Sequence, residues 1–386
     1  MTRPIMVTSM PEALNCQADN AIFLGRRPEK LLELGISRRL AANNTPPYRF
    51  AYARTALKYG LQASGFKPGD LLLVPDLVCE SLLEPLDALE IGVAYYPVGH
   101  TLEPEWSRLE GLLTPKTRAL LVVHYFGQPQ PIAQALKFCR EKSLLLIEDN
   151  AHGFGGTYNG QLLGTFGEIG ISAPRKSFPI PNGALLYLAG SQKPDLSSLR
   201  LQPSADRSPR RRVKNWLQHL APAALLRHRR ARIEYRRRLG PPLPYGSQAA
   251  FRDPPLAGDY GMDAEMESYL AGQNLAEVGM IRRRIYRIWE QWAKTRGLAP
   301  IFPELAPGAV PLVFPAWTKS AADSLQWYER GHRAGVDIHS WPTLPPTIVK
   351  ENGGAMRLWE RLVCFPIHQA MEPRVLERRL EALSDI

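Results

Sequence analysis

The sequence predicts an α/β fold with a mostly parallel central sheet, flanked by helices and followed by a smaller C-terminal α/β domain. Three observations carry that prediction. Short apolar runs alternate with helix-period stretches between residues 50 and 190. A strongly basic stretch and then a Pro/Gly-rich stretch interrupt the alternation after residue 190. A long Arg-rich helical pattern restarts at about residue 264. Strands that alternate with helices are buried on both faces, which favours a parallel sheet.

In order, residues 55–64 place apolar side chains at helical spacing, and 70–75 (DLLLVP) form a short apolar strand after a Lys-Pro-Gly turn. A helix over 79–89 and a strand over 93–98 follow. Residues 117–125 (TRALLVVHY) read as a strand, 132–142 as a helix and 143–148 as a strand. Two more strands are expected at 170–173 and 184–189. Beyond the interruption, a helix is expected over 264–297. A strand in VPLVFPAW (310–317) and helices over 321–334 and 373–383 follow it. The domains divide as 1–258, with a basic helical insertion at 190–258, and 259–386.

Hydrophobic residues make up 45% of the 386 residues and charged residues 22%, as in an ordinary globular protein. No apolar run is long enough to span a bilayer, and the N-terminus lacks a signal-peptide pattern. A cytoplasmic protein is therefore expected. Four widely spaced cysteines without a CxxC pair argue against a disulfide framework or a metal site. Residues 201–240 hold twelve Lys/Arg against two acids, so this segment carries +10 of the net +11. Within it Val213, Trp216, Leu217 and Leu220 follow helical spacing. A solvated helical excursion is one reading; peripheral attachment to an anionic membrane is another. No nucleic-acid module accompanies the charge, so nucleic acid is not an expected partner.

Ligands in such sheets sit outside the carboxyl ends of the strands. Asp149 ends one apolar strand, His152 follows three residues later, and His124 ends another. Lys176 is the only lysine between Lys142 and Lys193. An amine and a carboxylate there suit pyridoxal 5′-phosphate, which a lysine holds covalently while an acid keeps its ring nitrogen protonated. Each residue also has a plainer reading. Asp149 could be a strand-end acid, His152 a core histidine, Lys176 a surface lysine, and His124 a structural histidine at the sheet edge.

Three segments, in order and at matching spacing, resemble the DegT/StrS-type sugar aminotransferases of the aspartate-aminotransferase fold (fold type I). They are ARTALKYGLQASGFKPGDLLLVP, VVHYFGQP and IEDNAHGFGGTYNGQLLGTFGEIG. The resemblance runs from about residue 52 to the C-terminus, with 190–258 outside it. It implies a homodimer that uses pyridoxal 5′-phosphate to move an amino group from glutamate to a keto-sugar nucleotide. It implies that Lys176 carries the cofactor, that Asp149 meets its ring nitrogen, and that His152 lies near its phenolic oxygen. Ala53, Arg54 and Thr55 would hold the phosphate at a helix N-terminus. Arg54 stands where the family has Thr, and a surface salt bridge is its alternative role. Ser172 is a second phosphate candidate. Cys79 takes the position of a ring-stacking aromatic residue. His124, His339 and His368 are candidates for the substrate.

Three departures leave the substrate open. They are Cys79, Ile180-Pro181-Asn182-Gly183 in place of Gly-Glu-Gly-Gly, and Asp259-Tyr260-Gly261-Met262 in place of Asn-x-Arg-Met. The alternatives are a non-sugar aminotransferase, a dehydratase, or a non-catalytic, membrane-associated relative.

Overall fold

The computed structural model describes residues 47–189 and 260–384, apart from 179, 181, 335, 337, 342 and 343. The basic segment 201–240, the rest of the 190–258 insertion, and Asp259 lie outside the described residues.

The first half builds one seven-stranded sheet. Its strands are β1 (Tyr48–Phe50), β2 (Leu71–Pro75), β3 (Gly92–Tyr96), β4 (Thr117–Val123), β5 (Leu145–Asn150), β8 (Ile169–Ser172) and β9 (Ala184–Leu188). A small hairpin, β6 (Thr157–Tyr158) and β7 (Gln161–Leu162), lies between β5 and β8. The spatial order is β3-β2-β4-β5-β8-β9-β1. The first five run parallel, β9 runs antiparallel to β8, and β1, antiparallel to β9, runs with the first five. Six of the seven residues of β4 are buried. Only a sheet covered on both faces tolerates so continuous an apolar strand.

Helices α1 (Ala53–Ala63), α2 (Glu84–Ala88), α3 (Trp106–Leu109) and α4 (Ile132–Lys142) accompany this sheet. α1 lies close on it at Gly60, where a Cβ would come within 2.8 Å of Ile169 Cγ2 and 2.9 Å of Leu186 Cδ1. The helix expected over 79–89 is shorter. Residues Glu80–Leu82 form a 3₁₀ turn, and Pro85 sits in the first turn of α2. Proline suits that position and no later one.

The second half has its own three-stranded antiparallel sheet, β10 (Ala299–Pro300), β11 (Val313–Trp317) and β12 (Leu362–Pro366). Its helices are α5 (Ala264–Ala271), α6 (Leu275–Lys294), α7 (Ala321–Ala334), α8 (Pro346–Glu351), α9 (Gly354–Glu360) and α10 (Pro373–Ser384). The single helix expected over 264–297 is two. Gly272 ends α5, and the Asn274 side chain accepts from Glu277 N at 3.3 Å to cap α6. α6 buries Val278, Arg282, Ile285, Tyr286, Trp289 and Ala293, one face of a 3.6-residue period. Trp289 Nε1 donates to Pro366 O at 2.8 Å, which fixes α6 to the end of β12.

The two sheets meet at the loop after β4. Gly127, at φ +91°, leaves no room for a side chain, since a Cβ would stand 2.2 Å from Val310 O. Leu312 N donates to Phe126 O at 2.8 Å, and Thr157 N to Gly308 O at 2.9 Å. The Gln128 side chain bonds Glu304 O and Ala306 N.

Candidate active site

Consecutive residues of β5 point to opposite faces of the sheet, so Glu148 and Asn150 share one face and Asp149 takes the other. Glu148 is fully buried and saturated. Its oxygens accept from Phe166 N (2.6 Å), Gly167 N (2.8 Å), Gly164 N (3.0 Å) and His124 Nε2 (3.0 Å). Gln130 N donates to His124 Nδ1 at 3.0 Å, so the imidazole's proton is on Nε2, facing Glu148. Both nitrogens of His124 are engaged and its exposure is 0%. The expectation that His124 touches substrate is therefore corrected: it is a structural histidine that supports the Gly164–Gly167 turn. Sequence spacing alone could not pair His124 with Glu148, because two different strands bring them together.

Asp149 is half-buried as a residue, at the carboxyl end of β5. Ala151 N donates to its Oδ1 at 2.8 Å. Burial pushes its carboxyl up from the usual range, against the opposing pull of Lys176, the Ala151 N–H and His124. An enclosed carboxylate that remains unfavourable beside Lys176 suits a further cationic partner, such as a protonated ring nitrogen. Lys176 lies in the 3₁₀ turn Pro174–Lys176 after β8 and is half-buried.

His152 is 2% exposed. Its Nδ1 accepts from Phe126 N at 3.2 Å, which leaves the proton on Nε2. Burial, then the charge of Lys176, hold its imidazolium far below the usual range. The ring is neutral and can only donate from Nε2. Phe126, at φ +55°, stacks on it at 5.7 Å and 14°, and Trp341 meets it edge-on at 4.5 Å. A non-glycine residue in the left-handed region stores strain that the Leu312 and His152 contacts must hold. Trp341 lies two residues beyond His339. His339 itself is tied by its backbone to Cys364 within β12.

The remaining candidates divide. Ala53, Arg54 and Thr55 form the first turn of α1, which has no acid and no side-chain cap. α1 starts just beyond the carboxyl end of β1, which runs with β8, so its N-terminus and free N–H groups lie at that end of the sheet with helix-dipole assistance. Cys79 is half-buried, with Sγ 3.2 Å from Ser81 Oγ. Ser172 pairs in register with Asn150, and its Oγ is 3.4 Å from Asn150 Nδ2. It therefore stands on the Glu148 face, opposite Asp149, while Ile171 holds the Asp149 face. His368 is 3% exposed and accepts from Ala370 N at 3.1 Å. Its neighbour Gln369, not His368, reaches the lysine turn, donating to Ser177 O at 3.0 Å while accepting from Arg282 at 2.6 Å. Arg175, Gln369 and Phe126 are site neighbours that the sequence reading did not select. Only the adjacency of Arg175 to Lys176 offered a signal.

The donor set fits pyridoxal 5′-phosphate: an amine, an enclosed carboxylate and a neutral histidine donor lie together at the carboxyl ends of β5 and β8, on the same side of the sheet as the start of α1. Residues 50–178 match the family model described as the DegT/DnrJ/EryC1/StrS aminotransferase family. GDP-perosamine synthase of Caulobacter vibrioides is 33% identical over 137 residues, 35% of this chain and 34% of that protein. A dTDP-4-dehydro-2,3,6-trideoxy-D-glucose 4-aminotransferase of Saccharopolyspora spinosa is 28% identical over 43% of this chain and 44% of its own length. The chain thus spans between a third and a half of these curated relatives. Among solved structures, PseC of Helicobacter pylori, an aminotransferase involved in the biosynthesis of pseudoaminic acid, superposes with TM-score 0.66 at 14% identity. The superposition covers 100% of this chain and 97% of that one. A DegT/DnrJ/EryC1/StrS aminotransferase from Brucella abortus gives 0.62 at 15% identity, covering 97% and 95%. Residues 50–178 thus resemble the DegT/DnrJ/EryC1/StrS aminotransferase family, and the described fold is that of the solved aminotransferases on which the chain superposes.

Proposed function

We propose that the chain is a pyridoxal-5′-phosphate-dependent aminotransferase that moves an amino group from glutamate to a keto-sugar nucleotide in surface-glycan or secondary-metabolite biosynthesis. The observation that carries this reading is the convergence of Lys176, Asp149 and neutral His152 at the carboxyl ends of β5 and β8. When bound, the cofactor supplies an electron sink for negative charge at the substrate carbon. Lys176 anchors it through Nζ and, once released, carries a proton on that nitrogen as acid and base. Asp149 faces a ring-nitrogen proton and holds it. His152 donates from Nε2 to an oxygen at the ring, in a tautomer fixed by the Phe126 N–H. Trp341 and Phe126 limit the water that reaches this donor.

The sugar acceptor rests on the relatives. They include a GDP-4-keto-6-deoxy-D-mannose 3-dehydratase of Yersinia pseudotuberculosis, 30% identical over 27% of each chain. Retention of Lys176 favours the aminotransferase over a dehydratase. The test is incubation of the purified protein with the cofactor, followed by borohydride. A visible absorption band that reduction removes, a label mapped to Lys176 by mass spectrometry, and amination of a keto-sugar nucleotide with glutamate are expected. A colourless protein, or equal labelling in Lys176→Ala, overturns the reading.

A homodimer belongs to the same proposal, and light scattering that gives a monomer mass removes it. For the basic segment the charge of +10 over residues 201–240 supports peripheral contact with an anionic membrane. No helix among the described residues is long and apolar enough to cross a membrane. Equal co-sedimentation with anionic vesicles of the full chain and one lacking 201–240 rejects that contact.

A further inference from the structure

Resting on the function proposed above, we infer that Arg282, buried on α6, is a positioning residue that holds the Lys176 turn and the His152 donor in a fixed relation. It acts on each of them through other residues of the chain.

Two hydrogen-bonded arms leave one guanidinium. In the first, Arg282 Nη1 donates to Gln369 Oε1 at 2.6 Å, and Gln369 Nε2 donates to Ser177 O at 3.0 Å, directly after Lys176. In the second, Arg282 Nε donates to Pro311 O at 2.8 Å and Nη2 to Leu312 O at 3.1 Å. Leu312 N then donates to Phe126 O at 2.8 Å, and Phe126 N to His152 Nδ1 at 3.2 Å. Neighbours on α6 brace the same stretch. Arg283 Nη1 donates to Ala309 O at 3.1 Å, and a Cβ at Gly279 would come within 3.3 Å of Val310 Cγ2. Further along α6, Trp289 donates to Pro366 O, on the chain that leads to Gln369.

Arg282 is 1% exposed, and the three acceptors it reaches are a carboxamide and two carbonyls, all neutral. Burial pushes its guanidinium down, to about 9. A cation costs more to bury in such surroundings than an apolar side chain of similar size. What a guanidinium adds is a rigid plane of donors. Its fork sets the carbonyls of 311–312 and the side chain of Gln369 in one frame, which the flexible ammonium of a lysine does not do. Each of its three nitrogens donates to the protein, which sets Arg282 apart from an arginine that receives a substrate carboxylate. The lysine turn and the Phe126 loop follow different strands of the large sheet, β8 and β4. The second half of the chain joins them through this one side chain.

Arg282→Met and Arg282→Lys, set beside Gln369→Leu, separate the two arms. Nitrogen NMR shifts of the His152 ring, read on the full chain before cofactor is added, report its tautomer. Wild type and Gln369→Leu should show the Nε2–H form alone, and Arg282→Met a mixture of tautomers. Arg282→Lys, which keeps the charge but lacks the fork, should resemble Arg282→Met. With cofactor bound, Gln369→Leu should lower kcat about tenfold and Arg282→Met about a hundredfold, the scale of a misplacement of about 1 Å, with KM for glutamate within about twofold of wild type. The double variant should lose no more than Arg282→Met alone, because Gln369 acts through the guanidinium. An unchanged His152 tautomer in Arg282→Met, full rescue by Arg282→Lys, or a shifted melting curve with wild-type kcat overturns the proposal. A raised KM for glutamate with unchanged kcat also overturns it, since that marks a substrate ligand. Should the Arg282 variants fail to fold, Gln369→Leu decides alone, and wild-type kcat in that variant overturns the link to the lysine turn. If wild-type protein gives no absorption band with the cofactor, the proposed function fails instead, and the tautomer measurement is unaffected.

Discussion

The two faces of β5 carry adjacent carboxylates with opposite surroundings. Glu148 is closed off by four donors, three of them backbone N–H groups of the Gly164–Gly167 turn. Asp149 has one backbone donor and is pushed toward its neutral form by burial. One face is finished by the protein itself, and the other leaves room for a ligand's charge. The contrast shows why a buried acid alone identifies nothing: the count and kind of its donors decide whether it is structural or chemical.

The largest effect should come from breaking the finished face. Glu148→Ala leaves four buried donors unpaired, and urea denaturation should show a loss of about 3–5 kcal/mol. A loss below about 1 kcal/mol would mean that water completes the network. Asp149→Asn should keep stability within about 1 kcal/mol of wild type, because it removes a charge that burial disfavours. Amination should nevertheless fall about a hundredfold or more, the scale of a lost preorganised charge contact. A stability loss as large as that of Glu148→Ala would erase the contrast.

Acidity tests the open face next. The folded protein holds His152 well below 6.5 and His368 at about 3. Below pH 6.5 the unfolded chain takes up protons at these positions that the folded chain refuses, so stability falls as pH falls. The slope is at most about 1.4 kcal/mol per pH unit for each histidine. Asp149, and Asp76 at about 6, act with the opposite sign. His368→Asn should therefore flatten thermal-denaturation midpoints measured between pH 6.5 and 4.5, and an unchanged slope would count against this account. The smallest effect is expected from Trp341→Phe. The edge-on contact with His152 weakens, at about 1 kcal/mol, and the apparent pKa of the bound chromophore should shift while the melting curve barely moves.

Much of this was legible in the sequence because it is local. The apolar runs 70–75 and 117–125 and the helix 132–142 carry their own period; the structure returns the first and last nearly residue for residue and ends the middle strand at Val123. Asp149, His152 and Lys176 were selected because strand ends and spacing mark them. The rest depends on what stands across from a residue. Ser172 and Ile171 differ by one position, and only the register with Asn150 decides which faces the cleft. Glu148 looks like any strand acid until His124 arrives from β4. The break at Gly272 was hidden because α5 and α6 both keep a helical period. The strand β12, inside an apolar stretch without clear alternation, was not separated from its flanking turns.

The backbone contact between Gly127 and Val310 has a consequence for recombination. The loop that aims the Phe126 N–H at His152 is sewn to residues 304–312 by main-chain and Gln128 bonds. A chimera that exchanged residues 50–178 for those of a relative would inherit one half of a seam. To keep the histidine's tautomer it would have to carry 304–312 as well, so the stretch that matches the family is not a transplantable module.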